Sequence, residues 1–146
     1  MTFKVSTGLR NHMLASGSLR AALTDGKIRI FSGPEPASAD AAETGTLLCV
    51  IDNDGAGAGF TLDATASDGV ISKVVGDVLQ GTNLATGVAG YYRHVGSADT
   101  GTESLTEPRI QGRISTSGAE ANFSSVNLVS GATQTADTYS VNLPTF

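Results

Sequence analysis

Apolar positions change their spacing several times along the chain, and each change predicts an element. Leu9, Met13, Leu19 and Leu23 fall within about 120° of arc at helical spacing, so residues 8–23 predict an amphipathic helix that packs this face on the core. Ser6 or Thr7 can cap its start. Ser16-Gly17-Ser18 lies in the middle, where Gly costs about 1 kcal/mol relative to Ala and Ser competes for main-chain hydrogen bonds, so the helix is expected in two pieces. Thr24-Asp25-Gly26 stops it, with Gly26 expected at positive φ.

From there the period drops to two. Lys27-Ile28-Arg29-Ile30-Phe31 alternates charged and apolar residues and is the clearest strand in the chain. Residues 32–46, with paired prolines and an Ala-rich stretch after Ser38, predict a long connection crossing an edge of the sheet, with room for one helical turn. Leu47–Ile51 is an apolar run of strand length, residues 52–59 form a turn, and Phe60–Leu62 resumes the strand pattern, which together predict a hairpin. Further strands are expected at 70–75, 78–84 and 88–95, followed by an exposed polar loop at 96–107. In Arg109–Ile114 both isoleucines share one face and both arginines the other, so only the isoleucine face is expected to be buried. Residues 122–129 and 138–143 complete eight or nine strands.

This pattern predicts one domain over residues 1–146, mainly β. A helical N-terminal arm (1–26) precedes an antiparallel β-sandwich of jelly-roll type (27–146). Composition agrees: 18 glycines, 5% aromatics and no Trp among 146 residues favour short elements joined by tight turns.

Charge and chemistry narrow the function. The net charge is −5 with nine Lys plus Arg, which leaves no basic stripe for nucleic acid. No apolar run reaches membrane-spanning length and no secretory signal is legible, so synthesis in the cytoplasm without membrane insertion is expected. Cys49 sits in the apolar run 47–51 and is expected as a small buried hydrophobe. Gly55-Ala56-Gly57-Ala58-Gly59-Phe60 lacks the Lys of a phosphate-binding loop and has Phe60 where a dinucleotide fingerprint places its third Gly, so it reads as a turn. Asp52-Asn53-Asp54-Gly55 resembles part of a calcium loop, but aligning Gly55 with the loop's Gly puts Val50 at the first ligand position and Thr61 at the last. No cofactor or metal site is therefore expected.

His12 and His94 stand apart from other ligand types and are expected at the surface or an interface. No Gly-x-Ser-x-Gly elbow occurs, and a non-enzymatic role is expected. Tyr91 and Tyr92 point to opposite faces of a strand, one into the core and the other a candidate contact. Lys27 and Arg29 on one strand, with Arg109 and Arg113 on another, are the cations expected to line an exposed sheet face, where they serve either to block edge pairing or to bind a partner.

Residues 6–23, then Ile28-Arg29-Ile30-Phe31-Ser32-Gly33 and the Pro-Ala-Ser-Ala-Asp-Ala-Ala segment at 36–42, resemble the start of small head proteins of tailed bacteriophages. Ile110-Gln111-Gly112, Thr116-Ser117-Gly118-Ala119-Glu120 and Leu143-Pro144 are similar to their endings. The chain as a whole is similar to capsid cement, or decoration, proteins. That resemblance implies a jelly-roll subunit, homodimeric, bound on the virion outside the shell of major capsid protein, with no catalytic residues to carry over. The candidate partner contacts are Lys27, Ile28, Arg29, Ile30, Arg109 and Arg113, and either the helix-bearing N-terminal segment or an unpaired strand edge such as 27–31 is expected to pair with a capsid strand by β-augmentation. The competing expectation is a receptor- or carbohydrate-binding sandwich of a tail appendage, which requires an exposed aromatic platform.

Overall fold

Two serines split the N-terminal segment as its sequence predicts. In a computed structural model that describes residues 3–145, α1 spans Thr7–Ala15 and α2 spans Leu19–Ala22. The Ser6 hydroxyl accepts the Leu9 N–H at 3.1 Å and the Ser18 hydroxyl accepts the Ala21 N–H at 3.1 Å, so each helix has its own N-cap. Leu9, Leu19 and Leu23 are buried in the core and Met13 packs against it. The stop differs from expectation: positive φ falls at Asp25 (58°), not at Gly26. Gly26 is held by crowding instead, since a Cβ there would lie 2.7 Å from the Val95 carbonyl oxygen and 2.8 Å from His94 Nε2.

The fold is mainly β, with antiparallel sheets. Eleven strands are present among the described residues: β1 (Lys4–Val5), β2 (Lys27–Ser32), β3 (Leu47–Asn53), β4 (Val70–Ser72), β5 (Leu79–Thr82), β6 (Gly87–Val95), β7 (Arg109–Ser115), β8 (Ala121–Asn122), β9 (Asn127–Leu128), β10 (Thr133–Ala136) and β11 (Ser140–Asn142). The main sheet runs β1-β7-β6-β2-β3-β5-β10, with β8 on β7 and β9 on β6, while β11 and β4 make a separate pair. Every pairing is antiparallel except β7 with β8.

Register divides the main sheet into two faces. Ile28 and Ile30 of β2 stand level with His94 and Tyr92 of β6, and these in turn with Ile110 and Gly112 of β7. This face carries the core, which also takes Cys49 and Ile51 from β3 and Val141 from β11, so the β4–β11 pair lies against it. The burial of Cys49 matches expectation, and loss of hydration with the nearby Asp52 charge pushes its thiol up to about 11.

The opposite face is polar and covered over its central part. Arg29, Arg93, Gln111 and Lys4 form one row across four strands. Arg93, Arg109 and Gln111 are all buried, which corrects the expectation of an exposed arginine face. The covering comes from residues 33–46 and 97–107. Residues 33–46 contain no helical turn and cross this face rather than an edge. The 96–107 loop is likewise not wholly exposed, because Asp99 and Gly101 are buried within it.

Three strand expectations also change. The hairpin of 47–51 with 60–62 reduces to an Asn53–Ala58 bridge, Phe60 pairing instead with Gly26 and Leu62 with Lys73. Residues 122–129 break into β8 and β9, which belong to different strand pairs. β2 is paired on both sides, by β6 and by β3, so its residues offer no free edge.

Candidate functional site

The charges singled out from sequence serve the inside of the molecule. Arg109 Nε and Nη2 hold the Asp99 carboxylate at 2.6 and 2.8 Å, both side chains fully buried. The same guanidinium donates to the carbonyls of Ala39, Asp40, Ala41 and Thr102, tying both covering segments to β7. Burial alone would raise the Asp99 carboxyl and lower Arg109. Their mutual hydrogen bonds and charges, with the Gly101 N–H on Asp99, outweigh it and hold the pair ionised.

The neighbouring side chains repeat the theme. Arg29 pairs with Glu43 at 2.8 Å and Lys4 with Glu35 at 2.8 Å, each reaching from the sheet to residues 33–46. Gln111 accepts from Arg93 Nε at 2.8 Å and donates to the Pro36 carbonyl at 2.8 Å. Arg93 pairs with no carboxylate among the described residues, and burial together with the Arg109 charge lowers its proton affinity. The Tyr91 hydroxyl donates to the Thr44 carbonyl at 2.7 Å and accepts the Thr44 N–H at 2.9 Å.

Of the six candidate contacts, Ile28, Ile30 and Arg109 are therefore buried, and Arg29 is a partly buried pair with Glu43. Lys27 is partly exposed at the start of β2. Arg113 is the most accessible, with 53% of its side chain exposed, and pairs with Glu120 at 3.3 Å. His94 corrects the surface reading: it is fully buried, stacks on Phe60 at 4.8 Å and meets the Tyr139 hydroxyl at 2.9 Å. Burial pulls its pKa down to about 3. Tyr91 and Tyr92 are both buried, so neither ring stands on the surface as a stacking platform.

What remains open lies elsewhere. A cleft of about 630 Å³ runs between β8 and β10, floored by Ile28, Ile51 and Tyr92 and bounded by Tyr139. Glu120 and Asp137 line it, and no Lys, Arg or His does. A second hollow of about 740 Å³ adjoins it across Tyr139 and Ser140. At one end of the main sheet, Leu84, Val88 and Val129 are 60%, 55% and 60% exposed. Their segments run side by side, joined by Asn83 Nδ2 to the Val129 carbonyl at 3.1 Å, the Ser130 N–H to Thr86 Oγ1 at 3.0 Å, and the Val88–Asn127 pairing.

Comparison with family models, curated proteins and solved structures finds no match to this chain. The arrangement itself thus carries the functional argument. Among the described residues no group of His, Cys, Asp and Glu is placed to hold a metal ion, and Asp52 instead accepts the Gly57 N–H at 3.0 Å as an ordinary turn. No helix among them is long and apolar enough to cross a membrane. Sequence reasoning missed the cleft because β10, Thr-Gln-Thr-Ala, has no apolar alternation. It missed the exposed trio because Leu84, Val88 and Val129 read as ordinary strand residues.

Proposed function

We propose that this chain is a structural protein that binds the outside of a phage capsid as a homodimer and bridges neighbouring major capsid protein subunits. The observation that carries the reading is the apolar trio Leu84, Val88 and Val129, grouped at one end of the main sheet and more than half exposed, since such groupings mark protein contact sites. The sequence resemblance to capsid cement proteins supports the same assignment. A structural rather than catalytic role is favoured because several of the groups with displaced proton affinity are spent on internal contacts: Arg109 with Asp99, Arg113 with Glu120, and His94 with Tyr139. Burial of both Tyr91 and Tyr92 favours a protein over a saccharide as the partner.

Each bridging subunit makes separation of its neighbours require the loss of cement contacts as well as shell contacts, and binding to the assembled state stabilises it by mass action. Repeated weak contacts add through multivalency. Co-sedimentation of the purified protein with empty phage shells that lack it tests the reading. Saturable binding that raises the temperature of shell disruption is expected, and failure to bind removes the capsid assignment.

A further inference from the structure

We propose that the cleft between β8 and β10 receives an extended, basic strand of a partner protein, which pairs with both strand edges and closes the sheet over Ile28, Ile51 and Tyr92. This goes beyond the capsid reading and does not depend on it. Among the described residues β8 pairs only with β7 and β10 only with β5, so both ends of one curved sheet reach the same cleft with unpaired sides.

The hydrogen-bond pattern shows which groups are free. In the parallel β7–β8 pair the Phe123 N–H bonds the Ser115 carbonyl at 2.9 Å, which turns the main-chain N–H and C=O of Asn122 away from β7. On the other side the Asn83 N–H bonds the Ala132 carbonyl at 2.8 Å, and antiparallel alternation then turns the N–H and C=O of Thr133 and Thr135 away from β5. Neither edge carries the Lys or Pro that ordinarily guards against pairing.

Side chains select the occupant. The apolar floor suits alternate apolar residues of a strand, and the Tyr92 hydroxyl has no hydrogen-bond partner among the described residues and can meet a polar group there. Glu120 is ionised, but its charge is met by Arg113 at 3.3 Å. Asp137 is exposed and joins no ion pair among the described residues, so it is the free charge on the lining. With no cation on the lining and a chain charge of −5, charge complementarity calls for Lys or Arg on the incoming strand and opposes a second copy of this chain.

Selection of linear decapeptides from a displayed random library against the full chain provides the probe. Enriched sequences that alternate apolar residues with Lys or Arg are expected. The best of them, made as a capped synthetic peptide, should slow amide exchange at Asn122, Thr133 and Thr135. N-methylation at alternate residues, which removes strand hydrogen bonds but keeps charge, should weaken it at least tenfold. Thr135→Pro removes an outward N–H without touching the β5 pairing, and Asp137→Lys reverses the cleft charge. Each should weaken binding at least tenfold while thermal unfolding stays unchanged. No enrichment, undiminished binding of the N-methylated peptide, or protection confined to other amides overturns the proposal. Peptide binding without shell binding removes the capsid reading alone; shell binding without peptide binding at the cleft removes this inference alone.

Discussion

Removing the Arg109 guanidinium leaves Asp99 buried without a counter-charge and strips four loop carbonyls of their donor. Arg109→Met is therefore expected to cost about 3–5 kcal/mol, measured by urea unfolding. Arg113→Met, two turns of the pleat along the same strand but solvent-exposed, should cost far less, and equal losses would show that burial is not what distinguishes them. His94 sets a separate pH dependence. Its pKa lies near 3 in the fold, against about 6.5 unfolded. The unfolded chain then binds the proton first, so stability is full above about pH 6.5 and falls as pH drops towards 3, by up to about 1.4 kcal/mol per unit. His94→Phe should flatten that slope between about pH 6 and 4.5. The Asp99 contribution belongs to a lower window, because a depressed carboxyl loses its stabilisation only below the ordinary value of about 3.9.

Helix α1 and the central strand β2 owe their positions to what they touch more than to their own propensities. Gly8 in α1 is the sharpest case. On propensity alone Gly8→Ala would gain about 1 kcal/mol. A Cβ there, however, would collide with the Thr106 carbonyl and come within 2.6 Å of the Glu107 carbonyl oxygen, both main-chain atoms that cannot swing aside. The substitution is expected to lower the melting temperature despite better helix formation, because α1 must lift from residues 104–107 and from β7. That lift would also strain the Ser6 hydroxyl, which donates to the Glu107 carbonyl at 2.7 Å and accepts the Arg109 N–H at 2.9 Å. A rise in melting temperature would mean that the helix is not seated this closely.

The molecule as a whole is one sheet covered on both sides by different means. One face is closed by apolar packing under the β4–β11 pair, and the other by ion pairs and carbonyl contacts under residues 33–46 and 97–107. With both faces occupied, binding falls to what lies outside them, the apolar trio and the open edges. Leu84→Asp combined with Val129→Asp should weaken shell binding at least tenfold, read by co-sedimentation. Substitutions at such exposed positions ordinarily change stability by no more than about 0.5 kcal/mol, so urea unfolding should stay nearly constant. Unchanged shell binding by this pair would move the contact away from that end of the sheet.

Local patterns decided the elements. The helical arc of Leu9, Met13, Leu19 and Leu23, the break at residues 16–18 and the alternation of 27–31 and 109–114 are all short-range signals, and each matches an observed element. The mainly β class and the burial of Cys49 follow from the same evidence. Whether a polar strand face meets water or another segment is a question of what lies opposite it, and Arg109 and Arg93 found residues 33–46 there. His94 reads the same in sequence whether solvated or packed on Phe60 and Tyr139. Strand order is equally non-local: it puts Lys27–Phe31 at the centre and leaves the featureless Thr133–Ala136 on an open edge beside β8. Pairing partners in a sheet come from distant parts of the chain, so the edges available to a partner were decided only when the tertiary structure closed around them.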